Sequence, residues 1–157
     1  MQTRSVVSSF WYNRRLLKPV SRMHDTFWEI KMANYSCKYC GAKASSASSL
    51  TSAYCTRHPN GSGKGKHVIF EGEESSKYIC EYCGTTASSI SSLTSSYCTR
   101  HPNGSGKGKH SPFEGGIKSS YTCKYCGRSA SSLSSLTSSY CTRHPNGSGK
   151  GKHSPLK

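Results

Sequence analysis

Residues 121–153 read YTCKYCGRSASSLSSLTSSYCTRHPNGSGKGKH, with Cys123-x2-Cys126 near one end, Cys141-x2-His144 after fourteen intervening residues, and His153 closing the stretch. The same pattern occurs twice upstream. Cys37, Cys80 and Cys123 stand 43 residues apart, as do Cys40, Cys83 and Cys126, Cys55, Cys98 and Cys141, His58, His101 and His144, and His67, His110 and His153. Three units thus use all 9 cysteines and every histidine except His24. A fixed period of this length marks a tandem array rather than one continuous domain. The units span 34–70, 78–113 and 121–157, with polar Ser/Gly/Glu linkers at 71–77 and 114–120.

Composition agrees. The 157 residues are only 32% hydrophobic, with 4 Phe and 2 Trp, too little apolar side chain for one large core. A unit this small needs another source of stability. Two close ligand pairs separated by 10–20 residues can wrap a tetrahedral ion, and thiolate plus imidazole donors favour zinc. Zinc binding worth roughly 10–16 kcal/mol would supply the missing stability, one ion per unit and three per chain. Disulfides fit poorly, because three cysteines per unit leave one unpaired. A thioredoxin-like redox pair fits poorly as well, since no βαβ pattern surrounds Cys-x2-Cys.

Each unit offers five candidates for four ligand positions. Cys37, Cys40, Cys55 and His58 form the favoured first set, with Cys80, Cys83, Cys98 and His101, and Cys123, Cys126, Cys141 and His144, as its equivalents. His67, His110 and His153 are the alternative fourth ligands, reaching back across the Gly-rich segment. Gly41, Gly84 and Gly127 follow the second cysteine, where a tight knuckle often needs positive φ. In the third unit Leu133, Leu136 and Tyr140 stand at i, i+3 and i+7, which predicts a Ser-capped helix over 131–140 that ends near His144, before Pro145. Cys141 and His144 would then share its last turn. Tyr121–Cys126 predicts a short strand or knuckle. The fold class expected is a small metal-stabilised α+β array of three hairpin-plus-helix modules with little shared core.

Cys126-Gly127-x-x-Ala130-Ser131, followed by Leu136, resembles the first half of a two-cysteine/two-histidine zinc finger, with Ala130 at the family's core aromatic and Leu136 at its core leucine. The unit is also similar to short bacterial zinc-finger repeats with Cys-x2-His-Pro-x-Gly and a later Lys-Gly-x-His. The resemblance covers about 34 residues of each 43. It departs from the two-cysteine/two-histidine pattern in a Cys as first helix ligand, a lost aromatic, and a closing pair spaced x2. The resemblance implies a zinc module and carries little of that family's DNA-reading role.

Charge points to partners. The chain has 22 Lys+Arg against 7 Asp+Glu, a formal +15. Each PNGSGKGKH segment concentrates two Lys beside the Arg of Thr-Arg-His, so Arg57, Lys64, Lys66, Arg100, Lys107, Lys109, Arg143, Lys150 and Lys152 are the candidate nucleic-acid contacts. Exposed amides with flanking cations suit phosphate. The segment is not a P-loop, since the first Gly of that motif would fall on His58 or Asn60 and its Ser/Thr on His67. The expected helices offer Ser, Thr, Ala and Leu, with no side chain suited to base edges, so contact with phosphates or structured RNA is expected without strong sequence readout. Tyr39, Tyr82 and Tyr125 are candidates for stacking on bases or for the module cores. The alternative is a zinc-stapled adaptor for an acidic protein or ribonucleoprotein surface. Catalysis is not expected: downstream of residue 33 the acids are Glu71, Glu73, Glu74, Glu81 and Glu114, four of them in linkers. No small-molecule substrate is inferred.

Residues 1–33 share none of this chemistry. FWYNRRLLKP has the pattern of a short basic amphipathic helix. A second reading starts the protein at Met32, because the codons of Trp28-Glu29 place a purine run where a bacterial ribosome-binding sequence would sit. Residues 1–31 hold six basic and two acidic residues, so +11 of the +15 charge stays with the units. No apolar run reaches the roughly 20 residues of a membrane span, and Asn13, Arg14 and Arg15 interrupt the only candidate for a signal core, so a cytoplasmic protein of bacterial or phage type is expected.

Overall fold

Each unit begins as a two-residue antiparallel pair that closes around the Cys-x2-Cys knuckle. The computed structural model describes residues 34–157; the N-terminal helix and alternative start considered above lie outside the described residues. In the first unit β1 (Tyr35–Ser36) pairs with β2 (Lys43–Ala44), followed by α1 (Ala47–Ser52). The second repeats this as β3 (Tyr78–Ile79), β4 (Thr86–Ala87) and α2 (Ile90–Leu93). The third has β5 (Tyr121–Thr122), β6 (Ser129–Ala130) and α3 (Leu133–Leu136). Between the strands Gly41, Gly84 and Gly127 adopt φ of +73°, +76° and +74°, the left-handed turn expected there. In the first unit the Gly41 amide donates to the Cys37 carbonyl at 2.8 Å while the Cys37 amide donates to that of Ala42 at 2.8 Å.

The helices are shorter than the periodicity predicts. Ser46, Ser89 and Ser132 cap them, each accepting from the amide three residues on. In the third unit the helix stops at Leu136, and Tyr140 is exposed on an extended segment instead of completing the apolar face. The Ser138 amide turns back three residues to the Ser135 carbonyl at 3.4 Å, while Arg100 of the preceding unit donates to the Ser134 carbonyl that would have accepted it in a longer helix. Cys141 and His144 are therefore not helical.

After the helix the chain folds over itself. Tyr54 bridges Lys66, Tyr97 bridges Lys109 and Tyr140 bridges Lys152, so the Gly-rich segment is a closed, hydrogen-bonded loop. Its glycines allow the closure: Gly61 and Gly63 have φ of +114° and +69°, and the Gly63 amide donates to the Cys55 carbonyl at 3.0 Å. The tail then runs beside the first strand. The Lys38 amide donates to the Val68 carbonyl and that of Phe70 to the Ser36 carbonyl, both at 2.8 Å. Residue 69 between them gives no bond to this ladder, which explains why its equivalents, Pro112 and Pro155, lose nothing by lacking an amide hydrogen.

The units are joined more closely than polar linkers suggest. Each has its own small apolar cluster, but Phe70, from the tail of the first unit, is buried in the second's, edge-on to Tyr78 at 5.7 Å. Phe113 does the same in the third, 5.9 Å from Tyr121. The first knuckle meets the second helix so closely that a Cβ on Gly41 would stand 2.6 Å from the Ser91 nitrogen; Gly84 and Ser134 repeat the contact. Arg57 donates to the Ser91 carbonyl at 2.7 Å and the Thr94 hydroxyl at 3.1 Å, and Arg100 to the Ser134 carbonyl at 2.8 Å. The linkers take part. Glu114, its side chain only 4% exposed, pairs with Lys38 at 3.1 Å and also with Lys157, tying the first unit to the chain end. Burial works against the Glu114 charge, but the Lys157 and Lys38 ammonium groups hold its carboxyl below the usual range.

Candidate metal centres

Three segments bring four donors to one point in each unit. The knuckle supplies two thiols, the start of the crossing loop a third, and the end of that loop an imidazole. The groups are Cys37, Cys40, Cys55 and His67; Cys80, Cys83, Cys98 and His110; and Cys123, Cys126, Cys141 and His153, with the ligand atoms of each group all within 4.8 Å of one another. Cys37 Sγ lies 3.9 Å from Cys55 Sγ, and Cys40 Sγ lies 3.4 Å from His67 Nδ1. Both distances recur in the other two units.

These lengths test the fit. Tetrahedral zinc with Zn–S about 2.3 Å and Zn–N about 2.0–2.1 Å has edges of about 3.8 Å between sulfurs and about 3.5 Å between sulfur and nitrogen. The clusters match both. A disulfide needs its sulfurs at about 2.05 Å, and all nine cysteines are free. The imidazole faces the thiols through Nδ1, and in the third unit the far nitrogen, His153 Nε2, is buried without a partner.

The electrostatics of the thiols call for a cation. Burial pushes the Cys55 and Cys98 thiols up to about 12, and the neighbouring thiolates add to the rise. Burial opposes ionisation at Cys123 too, but hydrogen bonds, first from the Cys126 amide and then from His153, hold it down to about 6. Each cluster thus has thiols that cannot all ionise together without a positive ion among them.

The fourth donor gathered in each cluster differs from the one favoured on sequence. His58, His101 and His144 stand outside the clusters, and His67, His110 and His153 stand inside. The reason is the shortened helix. Without a helical turn across Cys55 and His58, the two side chains do not face the same point, and the loop closure carries His67 back to the thiols instead. His58 becomes a strut. Its Nδ1 accepts from the Asn60 amide at 3.3 Å, its ring lies edge-on to Tyr39 at 5.3 Å, and a Cβ on Gly65 would stand 2.5 Å from it. Gly65 is thus a glycine because a ring occupies the place of its side chain.

The candidate nucleic-acid residues divide into groups. Arg57 and Arg100 are engaged between units, whereas Arg143 is exposed. Lys64, Lys107 and Lys150 are exposed on the loops, their side chains folded over Gly61, Gly104 and Gly147. Lys66, Lys109 and Lys152 lie over the rings of Tyr54, Tyr97 and Tyr140 at 4.5, 3.9 and 3.9 Å, and also donate to the Ser52, Ser95 and Ser138 carbonyls. Those three tyrosines, 62%, 60% and 59% exposed, were missed on sequence because the expected helix drew Tyr140 into the core. Tyr39, Tyr82 and Tyr125, the stacking candidates, are half-buried against the clusters and beside the strut histidines. Tyr54, Tyr97 and Tyr140 each stand directly before the third cysteine of the unit and twelve residues before the paired lysine.

Among the described residues no helix is long and apolar enough to cross a membrane. No family model, no curated protein and no solved structure matches the chain.

Proposed function

We propose that the protein binds three zinc ions, one per unit, and uses the rigid array they create to bind nucleic acid without strong sequence readout. The zinc reading is supported by the donor set and by cluster edges that match tetrahedral thiolate–imidazole coordination. Cys37, Cys40, Cys55 and His67 and their equivalents would hold the ions, whose role is to staple loop to knuckle. No catalytic role is assigned to them.

The observation that carries the nucleic-acid reading is the tyrosine–lysine pair repeated in every unit. An exposed ring with an ammonium over it, three times along a chain of net charge +15, offers a stacking face beside a phosphate partner. Such a surface favours single-stranded or looped RNA or DNA, whose bases are free to stack. Lys64, Lys107 and Lys150 add cations on the same loops.

The test is salt-dependent binding of single-stranded oligonucleotides by the zinc-loaded protein. With about six lysines on phosphates, log K should fall with log salt at a slope near −4. Replacing Tyr54, Tyr97 and Tyr140 by Ala should cost about 1–3 kcal/mol per base unstacked while leaving that slope in place. Absence of nucleic-acid affinity at low salt would remove this reading and leave the adaptor for an acidic protein surface.

A further inference from the structure

The contacts that join one unit to the next are directional. The donor side of each junction consists of a knuckle glycine, the arginine of Thr-Arg-His and a tail apolar residue; the acceptor side is the helix and first tyrosine of the next unit. The first junction uses Gly41, Arg57 and Phe70 against Ser91, Thr94 and Tyr78, and the second repeats it one period later.

Among the described residues, the third unit carries a donor side and the first unit an acceptor side that no described unit meets. At the C-terminal end, Arg143 is exposed, a Cβ on Gly127 would meet nothing within 4 Å, and Leu156 is 58% exposed where its equivalents Phe70 and Phe113 are 8% and 3%. At the other end Thr51 is exposed where Thr94 and Thr137 are 0% and 2%, and Tyr35 is less buried than Tyr78 or Tyr121. The residues that make the internal junctions are retained at these ends: Gly127 and Arg143 on one side, Ser48, Thr51 and Tyr35 on the other.

We propose that the chain associates head to tail with a second copy of itself, the third unit of one copy docking on α1 of the next. In that junction Arg143 donates to the Ser48 carbonyl and Thr51 hydroxyl of the next copy, Gly127 seats against Ser48, and Leu156 covers Tyr35. The occupant is a second copy because the surfaces are those the chain already joins twice within itself. A heterologous contact of this kind does not close by two-fold symmetry, so repetition carries it beyond a dimer, into a ring or an open series. Ala47 replaces Ile90 and Leu133, and Leu156 replaces phenylalanine, so less apolar surface is covered than within the chain. The association is therefore weaker than the internal junctions and set by concentration. It does not depend on the proposed nucleic-acid binding.

Sedimentation of the full zinc-loaded chain without nucleic acid tests this. The mean mass should rise with concentration and pass beyond the dimer. Leu156→Arg blocks the tail and Ser48→Arg blocks the head; both positions are exposed, so each variant should keep the parent's metal content and sediment as a monomer. Mixed, each supplies the surface the other lacks, and they should form a dimer and nothing larger. A parent chain that is monomeric at every concentration overturns the proposal. So does a mixture that stays monomeric while the parent assembles.

Discussion

Arg57 donates its guanidinium to the carbonyl of Ser91, 34 residues away, at 2.7 Å, and so binds the loop of one unit to the helix of the next. The same arginine in the third unit, Arg143, is exposed. One residue type at three equivalent positions thus has two structural roles, and the difference is measurable.

Arg57→Ala should destabilise the zinc-loaded protein by about 1 kcal/mol, since it removes a charged donor from a partly exposed carbonyl. Arg143→Ala at low protein concentration should stay within about 0.5 kcal/mol of the parent, as surface changes usually do. Denaturant unfolding of both variants at constant free zinc decides the point. Equal effects would mean that the inter-unit bond contributes nothing.

The two histidines of a unit should separate cleanly. His67→Ala removes a donor from the first cluster, and native mass spectrometry should find two ions in place of three. His58→Ala should retain three ions, although it leaves a gap beneath Gly65 and lowers stability. Gly65→Ala should be the worse change of the loop pair, because its methyl would stand 2.5 Å from the His58 ring. Loss of an ion from His58→Ala with none from His67→Ala would reverse the assignment.

Ion release to a chelator should be uneven. All four donors of the second cluster are buried, whereas Cys40 and His67 in the first, and Cys126 in the third, are partly exposed. The middle unit is covered from both sides by its neighbours. Stopped-flow chelation should show two faster ions and one slow ion, and Arg57→Ala should speed the slow phase. Three equal rates would argue against coverage by neighbours.

Acid should expel the ions. Burial holds the Cys55 and Cys98 thiols up near 12 when no cation is among them, so coordination displaces protons from these sulfurs. Protons and metal compete, so affinity rises with pH and falls as pH drops. Glu114 acts in the same direction by a separate route. Its carboxyl is held below the usual range in the fold, so the stability it adds is present above its ordinary pKa and lost as pH falls through the depressed value. Metal content and helical signal followed together from pH 8 downward should fall together, and Glu114→Gln should leave the metal titration in place. Metal content that does not change with pH would count against thiolate ligation.

The three-unit organisation, the nine thiols as three sets and the glycine knuckles were all legible in residues 37–153, because a 43-residue period and Cys-x2-Cys spacing impose local geometry whatever surrounds them. Local pairing also made Tyr121–Thr122 readable as a strand. The fourth donor of each cluster was not legible in the same way. His58 is near Cys55 in sequence, and only the early end of the helix and the closing of the loop over Gly61, Gly63 and Gly65 bring His67, twelve residues away, to the thiols instead. The exposed tyrosines were hidden by the same error of helix length, since Tyr140 falls on an apolar face only if the turns continue past Thr137. They do not: Arg100 takes the Ser134 carbonyl and the Ser138 amide turns to Ser135, a contact from another unit that periodicity does not register. The contacts between units depended on tertiary structure alone: Arg57 and Arg143 stand in identical sequence surroundings, and which of them is paired depends on whether another unit follows in space.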